Sequence, residues 1–106
     1  MLVLEGTRGA VKGLVFRLAE GEALIGRSRA CGISLHPVSK DCRSVSKKHA
    51  LLRLGPDGTL QIDDLSQYGT FLDSDRVETA VLTDLSHRRH TLKLGRVATF
   101  RLSIEP

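Results

Sequence analysis

The sequence predicts an all-β sandwich, and three observations lead there. The apolar residues fall in short segments, several of which alternate apolar with polar positions. Turn-forming Gly, Pro and Asp separate these segments at close intervals. No stretch carries an apolar face at the helical period; Val81 to Leu85 comes nearest and is too short to stand alone as a helix. About ten short strands with such frequent turns describe two packed, mostly antiparallel sheets.

Taken in order, Leu2-Val3-Leu4 opens the chain and Gly6 to Gly13 reads as a turn region. Leu14, Phe16 and Leu18 alternate with Val15 and Arg17, the pattern of a half-buried strand. Glu22 to Gly26 and Ile33 to Leu35 are two further short segments, the second ended by Pro37. His36 to Ser44 is the longest stretch without strand character, which makes it a candidate binding loop. Ala50 to Leu54, the Gly55-Pro56-Asp57-Gly58 turn and Thr59 to Asp63 form a hairpin, because that Pro and those glycines set backbone angles a strand does not hold. Thr70-Phe71-Leu72 follows. Thr91 to Leu94, a turn at Gly95-Arg96 and Val97 to Ile104 close the chain with a second hairpin.

With 106 residues, positions 1–106 read as a single domain. Apolar residues make up 41% but aromatic ones only 4%, without tryptophan, so the core is expected to be small and aliphatic. The sequence has neither an apolar run near the ~18 residues of a membrane span nor a basic-then-apolar start, and a soluble, cytoplasmic protein is expected. Cys31 and Cys42 lack the partners of a zinc site and read as free thiols; no metal and no cofactor are expected. The formal charge of +4 favours an anionic partner. Nucleic acid is disfavoured, because no Lys/Arg run exceeds a pair and no aromatic residues interleave with the basic ones.

Three polar groups stand where strand-like segments meet loops: Gly26-Arg27, Ser46-Lys47-Lys48-His49 and Ser66-Gln67-Tyr68-Gly69-Thr70. A permanently charged guanidinium, a hydroxyl and a lysine on neighbouring loops suit a doubly negative phosphate group. In extended chain Lys47 and Lys48 point to opposite faces, so one of them reaches the site, and Lys47 is the better placed. A catalytic reading of His49 with Ser46 fails, since nothing resembles a nucleophile elbow and no third residue orients the histidine. His87 and His90, around Arg88-Arg89, read as a solvated basic turn, and Asp63-Asp64 and Asp73 to Asp75 as strand-end and turn residues.

In this order and at these separations, Gly26-Arg27, Ser46-x-x-His49-Ala50 and Ser66-x-x-Gly69-Thr70-Phe71-Leu72 resemble the forkhead-associated (FHA) domain over almost the whole chain. The resemblance implies a sandwich of about eleven strands whose loops at one end read phosphothreonine peptides, with no enzymatic activity. It implies that Arg27, Ser46 and Lys47 bind the phosphate. Gly26, His49 and Gly69 shape the loops, and Arg43, Ser44, Gln67 and Tyr68 contact the peptide. Tyr68 departs from the family pattern. An Asn usually stands there to bond the peptide backbone, whereas a phenol offers an aromatic face or a single hydroxyl. Gln67 carries the amide chemistry with a longer reach.

The resulting expectation is an interaction module for a phosphothreonine-containing protein, acting downstream of a Ser/Thr kinase. Tyr68 keeps open a phosphate-independent assembly or oligomerisation domain on the same scaffold. Neither nucleic acid nor a membrane is an expected partner.

Overall fold

Alternation decides which side chains go inside. In the computed structural model, which describes residues 1–106, strand β1 (Leu2–Gly9) buries Leu2 and Leu4, β5 (Ala50–Leu54) buries Ala50, Leu52 and Leu54, and β10 (His90–Leu94) buries Leu92 and Leu94. The residues between them face outward, as a period of two requires. The remaining strands are β2 (Val15–Leu18), β3 (Gly21–Gly26), β4 (Ile33–Ser34), β6 (Leu60–Asp64), β7 (Thr70–Leu72), β8 (Asp75–Val77), β9 (Thr79–Leu82) and β11 (Ala98–Ile104).

They form two sheets. One has the order β2-β1-β11-β10-β7-β8 and the other β4-β3-β5-β6-β9. Every pairing is antiparallel except that of β3 with β4. Between the sheets lies a core of 20 buried residues, among which Phe100 is the one aromatic side chain. Phe16 meets it edge-on, with ring centroids 6.2 Å apart.

The pairings place both chain ends and the candidate loops at opposite poles. At one pole Ile25 pairs with Ala50, Ala50 with Asp64, Thr70 with Leu94, Leu94 with Ala98, and Ala98 with Gly9. At the other, Gly21 pairs with Leu54, Leu54 with Leu60, and Leu2 with Ile104. All three polar groups therefore emerge at the first pole.

The structure adds elements that the sequence pattern did not suggest. β8 and β9 are strands, and β9 takes up part of the stretch that came nearest to a helical pattern. His36–Asp41 winds into a 3-10 helix with Pro37 in its first turn, where the missing N–H costs nothing. The solvated basic turn is corrected in part. His87, Arg88 and Arg89 are exposed, but His90 is only 6% exposed and sits between two carboxylates, Asp73 and Asp84. Cys31 and Cys42 are free thiols and both buried. No helix is long and apolar enough to cross a membrane.

Candidate functional site

The site is assembled around backbone that runs side by side. At the end of β3, the Arg27 amide donates to the Ser46 carbonyl at 3.2 Å and the Ser28 amide to the Lys47 carbonyl at 3.0 Å. The His49 amide closes the same seam on the Ile25 carbonyl at 2.8 Å. Gly26 makes this approach possible, because a Cβ there would stand 2.2 Å from the Lys47 carbonyl oxygen. Arg27 and Ser46 are thereby fixed on adjacent strands of backbone.

Each of the two presents unused donors. Arg27 Nε donates to the Val45 carbonyl, which pins the guanidinium at its stem. Its two terminal nitrogens have no partner in the protein, and Arg27 enters no ion pair. Ser46 Oγ accepts the Gln67 amide at 3.1 Å, so its own proton is free to be donated outward. Lys47 is exposed and its ammonium is likewise unpaired. Three groups with protons to give and no acceptor of their own have the donor chemistry that suits an oxyanion.

His49 holds this arrangement from behind. It is fully buried; its Nδ1 accepts the Ser46 amide at 3.0 Å and its Nε2 donates to the Gly69 carbonyl at 2.8 Å. Those two bonds fix the neutral Nε2–H tautomer, and burial lowers the imidazole's pKa below its ordinary value. Both ring nitrogens are committed to backbone. Neither is free to take a proton from Ser46 Oγ, so the pair has no nucleophile–base geometry.

A second, half-buried node, which sequence reasoning missed, orders the third loop. Asp64 Oδ1 accepts from the Ser66 amide at 3.1 Å, the Ser66 hydroxyl at 2.6 Å and the Thr70 hydroxyl at 2.7 Å. Burial pushes this carboxyl's pKa upward, but the hydrogen bonds from Ser66 and Thr70 outweigh it and lower the value. Ser66 Oγ in turn accepts the Gly69 amide at 2.8 Å. Gly69 turns the chain at φ +102°, a conformation that side chains strain. The Asp64-x-Ser66 spacing was the available signal, since a carboxylate commonly accepts the amide two residues on.

The remaining candidates are spread around this centre. Ser44 Oγ accepts the Arg96 amide at 2.8 Å, and the Gly95 amide donates to the Gly69 carbonyl at 2.9 Å, so the β10–β11 turn is bound to both loops. Tyr68 is 43% exposed, with the Arg96 guanidinium 5.2 Å from its ring centre. Gln67 and Arg43 are exposed, and their side chains make no hydrogen bond. Arg27, Ser46, Lys47, Gly26, His49 and Gly69 thus come together, with Gln67, Tyr68 and Ser44 at the margin. Arg96 also belongs to this neighbourhood, and nothing in its local sequence marked it.

Comparison with known proteins bears on this geometry. The sequence matches the FHA domain family over residues 23–95. Its structure is similar to the FHA domain of a Chlamydia trachomatis protein, with 25% identity, TM-score 0.78 and coverage of 99% of this chain and 98% of that one. An FHA domain from an Arabidopsis thaliana hypothetical protein shares 25% identity at TM-score 0.80, over 99% of this chain and 86% of that one. The N-terminal FHA domain of Saccharomyces cerevisiae Rad53p, solved with a phosphothreonine peptide, shares the fold at TM-score 0.73 and 21% identity, over 98% and 93% of the two chains. No curated protein matches the chain. The family match spans more than half of the sequence and all three polar groups, and the chain belongs to the FHA domain family.

Proposed function

We propose that this domain reads phosphothreonine on a partner protein, downstream of a Ser/Thr kinase, and performs no chemistry on it. The observation that carries the reading is the pairing of Arg27 and Ser46. They stand on backbone segments bonded to each other, and both keep donors that nothing in the protein satisfies. A phosphothreonine brings about −1.5 to −2 charges and three strong acceptor oxygens to such donors. Arg27 serves two oxygens through its planar fork, Ser46 a third contact, and Lys47 adds a movable charge. Family membership and the phosphothreonine complex of a structural relative support the assignment.

The test is titration calorimetry with phosphothreonine, phosphoserine and unphosphorylated versions of peptides selected from a degenerate library. Phosphothreonine peptides should bind best. Arg27→Ala should weaken that binding by about 30- to 1000-fold, the equivalent of ~2–4 kcal/mol, without unfolding the domain. Partner binding that survives both phosphatase treatment and Arg27→Ala would establish the phosphate-independent assembly role instead.

A further inference from the structure

The outer face of the six-stranded sheet divides into two halves of different charge. Toward the pole of the chain ends the cations are neutralised: Arg101 bonds Glu5, and Arg17 bonds Glu105 at 3.3 Å. Toward the candidate site they are not. Register places Arg8 opposite Thr99, Thr99 opposite Lys93, Lys93 opposite Phe71, and Phe71 opposite Arg76. One row thus crosses five neighbouring strands and carries three cations and no carboxylate. None of the three, nor Arg96 beside them, enters an ion pair. Over the part of this row from Arg8 to Phe71 the surface is a groove of about 540 Å³, bounded by Arg8, Phe71, Thr91, Lys93, Arg96 and Thr99, with no acidic residue in its lining, and Arg76 continues the row beyond it.

The row reaches the Gly69 loop through Arg76, and the groove reaches the same loops through Arg96. Arg76 Nε lies 3.0 Å from the position a Cβ on Gly69 would take. Arg96 covers Tyr68, and its amide holds Ser44. Lys93 Nζ lies 5.7 Å from the centre of the Phe71 ring, so the aromatic floor itself favours positive charge above it. A peptide leaving Gly69 along this row would meet one unneutralised cation after another.

We infer that the groove binds an acidic segment of the same partner, rich in Asp or Glu, on one side of its phosphothreonine. This rests on the phosphothreonine reading of the Arg27–Ser46 site. Five strands about 4.8 Å apart give a row about 19 Å long, which about six extended residues span. The segment therefore falls within about seven residues of the modified threonine. Charge complementarity commits the groove to this occupant: a neutral or basic flank leaves the cations without the partners they lack in the free domain. The groove also supplies contacts on the side of the loops where Tyr68 replaces a backbone-anchoring amide.

The experiment compares degenerate peptide pools with a fixed central phosphothreonine by fluorescence anisotropy. In one pool Asp or Glu occupies several positions on one flank, on the N-terminal or the C-terminal side in separate sets. In the other, Asn or Gln occupies them. An unphosphorylated acidic pool is the control. The acidic flank should tighten binding by about 3- to 30-fold on one side only, as two or three exposed ion pairs allow. The combined Arg8→Gln and Lys93→Gln variant should lose that gain and bind the neutral phosphopeptides as the parent does.

If the neutral phosphopeptides bind in an Arg27-dependent way and the acidic flank adds nothing, the groove assignment is overturned and the phosphothreonine reading stands. If acidic peptides bind equally with and without phosphate and lose affinity in the double variant, the groove stands and the phosphothreonine reading falls. An absence of binding by every pool overturns both.

Discussion

Two histidines of this domain are buried for opposite reasons, and they should respond to pH in opposite directions. His49 is neutral because one ring nitrogen accepts an amide proton and the other donates to a carbonyl. Its lowered pKa means that the unfolded chain takes up a proton more readily than the folded one. Its contribution to stability is therefore complete above the ordinary value near 6.5 and falls as pH drops toward the folded value. His90 faces a carboxylate from each side, Asp73 at Nδ1 and Asp84 at Nε2, the latter at 2.7 Å. Burial opposes charge on this ring, but the two carboxylates outweigh it and raise the pKa. Its contribution is complete below about 6.5 and is lost as pH rises through the raised value. Urea unfolding followed from about pH 5 to 9 should show both limbs. His49→Gln should flatten the acid side and His90→Gln the alkaline side. An acid limb that persists unchanged in His49→Gln would remove this account of it.

The same pair shows what could be read at the level of residues. His49 was legible because it belongs to a short motif, Ser46-x-x-His49, whose own backbone it braces. His90 looked like part of a solvated basic turn because its two partners are distant in sequence, 17 and 6 positions away. Asp64 and Arg96 were missed for different reasons. Asp64 acts through three hydrogen bonds inside its own loop, and Arg96 reaches the site only through the pairing of β10 with β7.

Among the elements, strands with clean alternation were recognisable and strands without it were not. β5 and β6 carry apolar residues every second position and are joined by a Pro-Gly turn. β8 reads Asp75-Arg76-Val77 and is exposed at two of its three positions, so it has almost no apolar signal. It exists because the turn before it forces the chain back along β7. That turn holds Asp73 at φ 49° and Ser74 at φ 77°, both left-handed. Two-residue hairpins need this geometry to match strand twist, and glycine meets it without the steric cost that other residues carry. Asp73 is fixed by its bonds to Thr91 and His90, whereas the Ser74 side chain makes no hydrogen bond. Ser74→Gly should therefore stabilise the domain by about 0.5–1 kcal/mol, read as a rise in the urea midpoint at unchanged slope. A fall in the midpoint would mean that the turn does not carry strain at this position.

On the scale of the whole molecule, the fold converts separation in sequence into two poles. Loops from four places in the chain converge at one of them, and the strand pairings that do this are long-range. The legible part of the site was carried by short motifs at the strand ends, while the Asp64 bonds inside one of those loops were missed. The part that depended on two sheets closing over an aliphatic core, including the charge division of the outer face, required the registers themselves.

The pairing of Leu2 with Ile104 has a further consequence. The Met1 ammonium donates to the Glu105 carbonyl at 2.9 Å, so Met1 and Glu105 lie side by side, at the pole away from Arg27 and Ser46. The domain can therefore be spliced as a unit into a surface loop of another protein without turning its recognition face inward. It should also tolerate circular permutation, with a short Gly/Ser link from Pro106 to Met1 and new ends opened at the exposed Pro56-Asp57 tip. Such a permutant should keep its phosphopeptide affinity within about twofold, since the order in which the strands are threaded changes while the two poles do not.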